Sequence, residues 1–391
     1  MPVRILFLAD THLGFDLPVA PRVRRRRRGH DFLAAYQRAL RPALAGSVDA
    51  VVHGGDLFHR PRVPTTLAVQ AFDALRVVAD RGVPVFVVPG NHERARLPHP
   101  RFALHPRIHV FDEPRTFRFE ARGVRLTLAG FPYVRKDVRS RFGELLAATG
   151  WRAGGEDVAL LCVHHCFEGA TVGPRDFMFR GASDVIRAGD VPRGIAAVLT
   201  GHVHRHQVLT RDLAGRPLPA PVLYPGSTER TAFAEMGEAK GYLVLDLGAD
   251  GARMGGRLER WEFHELPARP MALAEIAAEG ASRADLARRV DAAVAAAPAG
   301  AVLRLRVHGR VADEARGVLA LPRLRSVAPS DMNVEVVCAD EARRRALKPP
   351  RVVARVRADP HTGAPERCPV SPTSAVPSAS TTSPSWWSPR P

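Results

Sequence analysis

The sequence predicts an α/β protein, and three observations carry that expectation. Five short, β-branched apolar runs recur through the first two hundred residues, amphipathic helical stretches lie between them, and the composition changes near residue 260 and again near 349. Short apolar runs of this kind read as buried strands, and their alternation with helices reads as a layered α/β domain. The chain of 391 residues is long enough for one large domain and one small one.

Taken in order, the first run, Val3 to Ala9, delivers Asp10 and His12. Asp31 is placed to cap a helix from Phe32 to Leu40 that ends near Pro42. The second run, Ala50 to Gly55, delivers Asp56, and Thr65 is placed to cap a helix from Leu67 to Asp80 whose Leu67, Ala71, Leu75 and Val78 share a face. The run Val85 to Gly90 leads to Asn91 and His92, the run Val158 to Val163 to His164, and the run Ile195 to Gly201 to His202 and His204. Val124 to Ala129 and Gly241 to Leu247 are further strands, and the pattern breaks at Pro267 and Pro270.

A second unit, residues 265–347, is expected to be a small α+β domain. Ser282 caps a helix through Ala297, strands are expected at Ala301 to Val307 and Asn333 to Val337, and a helix near Ala312 to Leu319. Residues 348–391, rich in Pro, Ser, Thr and Arg and containing Trp386 and Trp387, are expected to be a disordered tail.

The formal net charge of +17 invites a polyanionic partner. Lys136, Lys240 and Lys348 are the only lysines, so the charge is almost all arginine, a bias that a GC-rich genome produces equally well. The cysteines, Cys162, Cys166, Cys338 and Cys368, lack paired spacing, as in a reducing compartment. With no apolar stretch of membrane-spanning length and a first strand that starts at once, a cytoplasmic protein without a membrane span is expected.

Each of the five runs ends in a metal-ligand residue type, and beyond the carboxyl ends of strands such residues can converge. Asp10, His12, Asp56, Asn91, His164, His202 and His204 supply carboxylate, amide and imidazole donors without thiolate, suited to Mn, Fe, Zn or Mg. Seven donors are enough for two ions about 3.5 to 4 Å apart that clamp a phosphate. In an extended segment residues two apart point the same way, which pairs Asp10 with His12 and His202 with His204. His92, next to Asn91, points elsewhere and is free to act as a general acid.

Asp10-Thr11-His12, Gly55-Asp56, Gly90-Asn91-His92, His164 and Gly201-His202-Val203-His204 together resemble the five blocks of the calcineurin-like metallophosphoesterases. The resemblance covers the first 260 residues and implies two mixed sheets packed face to face between helices, a four-layer sandwich. It further implies one ion held by Asp10, His12, Asp56 and His204 and another by Asp56, Asn91, His164 and His202, with Asp56 bridging. Within that family, Asp10-Thr11-His12-Leu13-Gly14, Gly55-Asp56-Leu57-Phe58-His59-Arg60-Pro61 and Tyr224-Pro225-Gly226-Ser227-Thr228-Glu229-Arg230 resemble the SbcD-like DNA repair exonucleases. That branch implies DNA as substrate, two divalent ions with manganese foremost, a capping DNA-binding domain at 265–347, a homodimer and an SbcC-like ATPase partner. It also places His59 against substrate phosphate. Glu93 stands where those nucleases carry Asp, and His165 where they carry Gln, so that either His164 or His165 can be the ligand.

Outside the blocks, Arg22 and the run Arg24 to Arg28 could meet a phosphate backbone or form a solvated loop, and Tyr133, Arg135 and Arg230 could line a groove. The expected activity is metal-dependent hydrolysis of DNA phosphodiesters with His92 as general acid. The rival readings are a phosphatase or small nucleotide phosphodiesterase, and a non-catalytic DNA-binding scaffold.

Overall fold

Side-chain alternation along the first strand already sorts the molecule into layers. In Val3–Leu8 successive side chains point to opposite faces. Val3, Ile5 and Phe7 join one apolar cluster with Val52, Phe86, Leu128, Leu160 and Leu199. Leu6 and Leu8 join another with Tyr36, Ala71, Phe72 and Leu75, which belong to the helices Arg28–Ala39 and Thr65–Asp80. The strand Val158–Val163 behaves likewise: Val158, Leu160 and Cys162 face the first cluster, while Ala159, Leu161 and Val163 face Phe142 of the helix Val138–Ala148. Helices, sheet, sheet and helix are therefore stacked in four layers around a central two-sheet core. The structure, a computed structural model, describes residues 2–16, 26–152, 157–250 and 253–338. The proline-rich tail, Arg22, Arg24 and Arg25 lie outside those residues.

Both sheets are six-stranded and mixed. The first runs Arg253–Glu265, Gly241–Asp250, Val3–Leu8, Ala50–His53, Val85–Val87, Ile108–Val110, with the last four strands parallel. The second runs Gln207–Arg211, Pro217–Tyr224, Ala197–Thr200, Val158–Val163, Val124–Gly130, Arg115–Ala121, with its middle four strands parallel. In each sheet the candidate ligands follow parallel strands: Val3–Leu8, Ala50–His53 and Val85–Val87 in the first, Val158–Val163 and Ala197–Thr200 in the second. Buried Tyr36 keeps its hydroxyl satisfied by donating to Ala71 O at 3.0 Å, so the ring's burial carries no polar penalty.

Several expected caps fall elsewhere. Asp31 lies inside the first turn of a helix that starts at Arg28, because its carboxylate is taken by Arg269. Thr65 is the first helical residue after Pro64 and makes no cap bond. Ser282 does cap its helix, Arg283–Ala296, accepting from Asp285 N at 3.1 Å. The segment Asp313–Leu319 is a 3-10 helix, and among the described residues 265–338 the strands Met271–Ala277, Val302–His308 and Asn333–Cys338 form a parallel sheet with its own core of Ile276, Leu286, Val290, Leu303 and Leu305. Among the described residues no helix is long and apolar enough to cross a membrane.

Candidate metal centre

Two loops beyond adjacent strand ends are laced together by backbone hydrogen bonds. Asp10 N donates to Gly55 O, His12 N to Asp56 O, Leu13 N to Leu57 O and His59 N back to Leu13 O, at 2.8–3.0 Å. This ladder places Asp10, His12, Asp56 and His59 beside one another. The residues do not converge by strand alternation, as their spacing suggests. Asp10, His12, Asp56 and His202 take φ of 52°, 45°, 52° and 78°, the left-handed region that Asp and His tolerate better than most. Each such residue stores about 1–3 kcal/mol of strain that the surrounding fold must hold.

Glycine is required here for close approach. A Cβ on Gly55, itself at φ +108°, would overlap the His164 imidazole, and one on Gly90 would overlap the Asp56 carboxylate. The second sheet is thereby brought against the first: His164 Nδ1 lies 2.8 Å from Gly54 O, a bond that fixes the ring and turns Nε2 toward the centre.

Asp56 lies at the middle. Its Oδ2 is 3.4 Å from His164 Nε2, 3.9 Å from His92 Nε2 and 4.0 Å from His12 Nε2, and its Oδ1 accepts His92 N. Asn91 Oδ1 lies 3.0 Å from His164 Nε2 and 2.7 Å from His202 Nδ1. Asp10 accepts His202 N with both carboxylate oxygens, and its Oδ1 lies 4.0 Å from His204 Nε2. His12 Nε2 and His204 Nε2 are 2.9 Å apart. Donor atoms of Asp10, His12 and His204 lie within 4.8 Å of one another, as do those of Asp10, Asp56 and His164, and those of His12, His59 and His92.

All seven expected donors thus converge on one centre, and His92 and His59 join them. His92 does not point away from its neighbour Asn91 as expected; its Nδ1 lies 2.8 Å from His59 O and its Nε2 looks back at Asp56. His59 Nδ1 lies 3.4 Å from His12 Nδ1. His165 directs Nε2 to the Val134 amide at 3.1 Å and stacks on Tyr133 at 5.0 Å, whose ring is 5.8 Å from that of His202.

The electrostatics suit cations. Burial alone would raise the Asp56 carboxyl, but the His164 imidazole, helped by His12 and His92, holds it below the usual range. Burial and the facing His204 ring push His12 well down, and burial with His164 pushes His202 down to about 3, shifts that favour the neutral ring with a lone pair to give. Burial and then His92 push His59 down to about 4. Two ring nitrogens 2.9 Å apart, next to two buried carboxylates, can share at most one proton between them, whereas a cation satisfies both lone pairs. The donor set fits divalent metal ions.

Some contacts escaped sequence reasoning. Glu93 accepts Phe58 N with Oε1 and Gly90 N with Oε2, both at 2.7 Å, bracing two ligand loops. Glu235 lies 3.0 Å from His204 Nδ1; the segment ending at Arg230 stood out in the sequence, and the signal lay five residues further on. Arg230 does not line a groove: its guanidinium is spent on the carbonyls of Glu235, Glu238 and Arg269. Of the arginine run, Arg26 and Arg27 pair with Asp31 and Asp16, and Arg28 packs over Phe15 and Phe32 while bonding Arg230 O.

Burial, donor type and position beyond two sets of parallel strand ends define a metal-dependent phosphoesterase class. The chain belongs to the calcineurin-like phosphoesterase family, which matches residues 3–206. It is 26% identical over 295 residues to the DNA double-strand break repair protein Mre11 of Methanopyrus kandleri, covering 71% of this chain and 60% of that one. It is 25% identical over 258 residues to Mre11 of Thermoplasma acidophilum, covering 63% and 60% of the two chains. A 95-residue stretch is 44% identical to Mre11 of Haloferax volcanii, covering 24% of this chain and 20% of that one. The chain therefore spans between 20% and 60% of the length of these relatives.

Proposed function

We propose that the protein is a metal-dependent DNA nuclease of double-strand-break repair. The observation that carries the reading is Asp56, a buried carboxylate ringed by His12, His92 and His164 at 3.4–4.0 Å. In this reading it is shared by two ligand groups: Asp10, His12, Asp56 and His204 for one ion, Asp56, Asn91, His164 and His202 for the other. When bound, two divalent cations supply charge stabilisation for a phosphoryl group and a nucleophile drawn from water at neutral pH. His164 takes the ligand role over His165, whose Nε2 is spent on the Val134 amide.

His92 is assigned as general acid. With Nδ1 turned to His59 O, its Nε2 remains to carry a proton to the departing alkoxide. Its side chain is 34% exposed, open to substrate where Asp56 is not. His59, beside it, is assigned to meet the substrate phosphate. Manganese is the proposed metal. The small α+β region at 265–347 is proposed as a DNA-binding cap, and the likeness to SbcD-like nucleases extends the proposal to a homodimer working with an SbcC-like ATPase.

The test is hydrolysis of linear double-stranded and single-stranded DNA with Mn²⁺, with and without chelator, comparing wild type with Asp56→Ala. Chelator-sensitive cleavage lost in the variant is the expected result. Turnover of a small phosphodiester without DNA cleavage would instead make it a nucleotide phosphodiesterase or phosphatase, and no turnover at all a scaffold.

A further inference from the structure

Of the four candidate ligand histidines, one has a charged group behind it. His164 Nδ1 faces the Gly54 carbonyl and His12 Nδ1 faces His59, while His202 Nδ1 looks inward to its co-ligand Asn91. His204 Nδ1 faces Glu235 Oε1 at 3.0 Å and Thr231 Oγ1 at 3.1 Å. The Thr231 hydroxyl donates to the same Glu235 oxygen at 2.5 Å, leaving that oxygen as acceptor for the ring N–H.

Glu235 is itself fixed from behind. Its Oε2 lies 2.8 Å from Lys240 Nζ and accepts Thr231 N at 3.2 Å. Lys240 is wholly buried, and its ammonium also donates to His204 O at 2.9 Å and reaches Glu238 Oε2 at 3.1 Å. A buried lysine of this kind persists only when paired. Here one contact holds the carboxylate that grips the His204 ring, a second holds the carbonyl of the same residue, and the third goes to Glu238. Ring and backbone of His204 are thus locked by one Lys240 side chain, directly at the carbonyl and through Glu235 at the imidazole.

The geometry points to Glu235, buttressed by Thr231 and Lys240, as a positioning residue that binds His204 Nδ1–H and presents Nε2 as a donor to one of the two metal ions. The inference rests on the reading of His204 as a metal ligand. A carboxylate behind a ligand imidazole fixes its tautomer and orientation and strengthens it as a donor, and losing it weakens metal affinity by about 10–100-fold. Because Glu235 stands behind the His204 ring, the effect falls on the ion assigned to Asp10, His12, Asp56 and His204. The two sites are therefore unequal by construction.

Titration calorimetry with Mn²⁺ on the full-length protein tests this, with thermal melts in chelator to show that each variant is folded. Wild type should bind two ions. Glu235→Gln should weaken one of them by about 10-fold and Glu235→Ala by up to about 100-fold, with the other unchanged. DNA hydrolysis by both variants should recover as Mn²⁺ is raised, with the KM for DNA unaltered. Glu238→Gln, which removes a Lys240 partner without touching the His204 ring, should bind both ions as wild type does. Folded Glu235 variants with wild-type affinity at both sites, or a Glu238→Gln loss equal to theirs, would overturn the positioning role. Wild type binding no ion would overturn the reading of the centre itself.

Discussion

Asp31 and Arg269 form an ion pair of 3.0 Å with both side chains almost wholly removed from solvent. Asp31 belongs to the helix against the first sheet, whereas Arg269 precedes the small parallel sheet and also donates to the carbonyls of Gly300 and Asp331. Two parts of the chain 238 residues apart are joined at this point.

Removing one partner leaves the other buried and uncompensated, which costs about 3–5 kcal/mol. Asp31→Ala should therefore lower the denaturation midpoint sharply, while the double replacement Asp31→Leu with Arg269→Met should cost much less. Equal losses for the single and double variants in urea melts would contradict the pairing.

Gly55→Ala places a methyl group into the His164 imidazole at a backbone φ of +108°. It should abolish metal-dependent hydrolysis. Gly46→Ala, at φ +68° with open space around it, should cost only about 1–2 kcal/mol and leave activity intact. Phosphodiester hydrolysis and thermal melts of the two variants separate close approach from simple backbone strain.

Glu93→Gln replaces two acceptor oxygens by one oxygen and one donor. The amide cannot accept from both Phe58 N and Gly90 N, so one buried donor is left unsatisfied at a cost of about 1–3 kcal/mol. The expected outcome is a stability loss of that size in denaturant melts together with reduced Mn²⁺ affinity, since the two braced loops carry Asp56 and Asn91.

The thiols report on the layered core. Burial raises the Cys162 thiol strongly, and burial with the Asp184 charge pushes Cys166 up to about 12. Both should resist alkylation by iodoacetamide in the native protein, whereas the half-buried Cys338 should react before either of them. Peptide mapping after timed quenching reads the order.

Metal should stabilise the fold as well as activate it. A ligand at a hundred times its Kd adds about 2.7 kcal/mol. A rise in Tm with Mn²⁺, reversed by chelator and absent in Asp56→Ala, is the expected signature.

The strands that deliver ligands were legible because their signal is local: an apolar run that stops at a polar donor. The strand Pro217–Tyr224 was not, since its three prolines argue against pairing, and Arg253–Glu265, an edge strand rich in charge, has no apolar run to read. The cap expected at Asp31 failed where a distant partner intervened, since Asp31 looks like a helix start until Arg269 claims it, and the one at Thr65 failed because the helix starts one residue earlier, after Pro64. At the centre, donor types were legible and their means of convergence was not. Asp10 and His12 meet through left-handed turns and a loop ladder, which no spacing rule contains. Glu235 acquires meaning only when folding sets it behind His204.

Asp10, His12, Asp56 and Asn91 follow strands of one sheet, while His164, His202 and His204 follow strands of the other. Any ion they share is a rivet driven through the seam between two independently hydrogen-bonded sheets. Sliding one sheet over the other by an ångström would leave each sheet's own ladder intact and still pull the ligand set apart. The metal centre is in that sense a gauge of interlayer alignment, and substitutions in the sandwiched core far from any ligand should be felt there first as altered metal affinity.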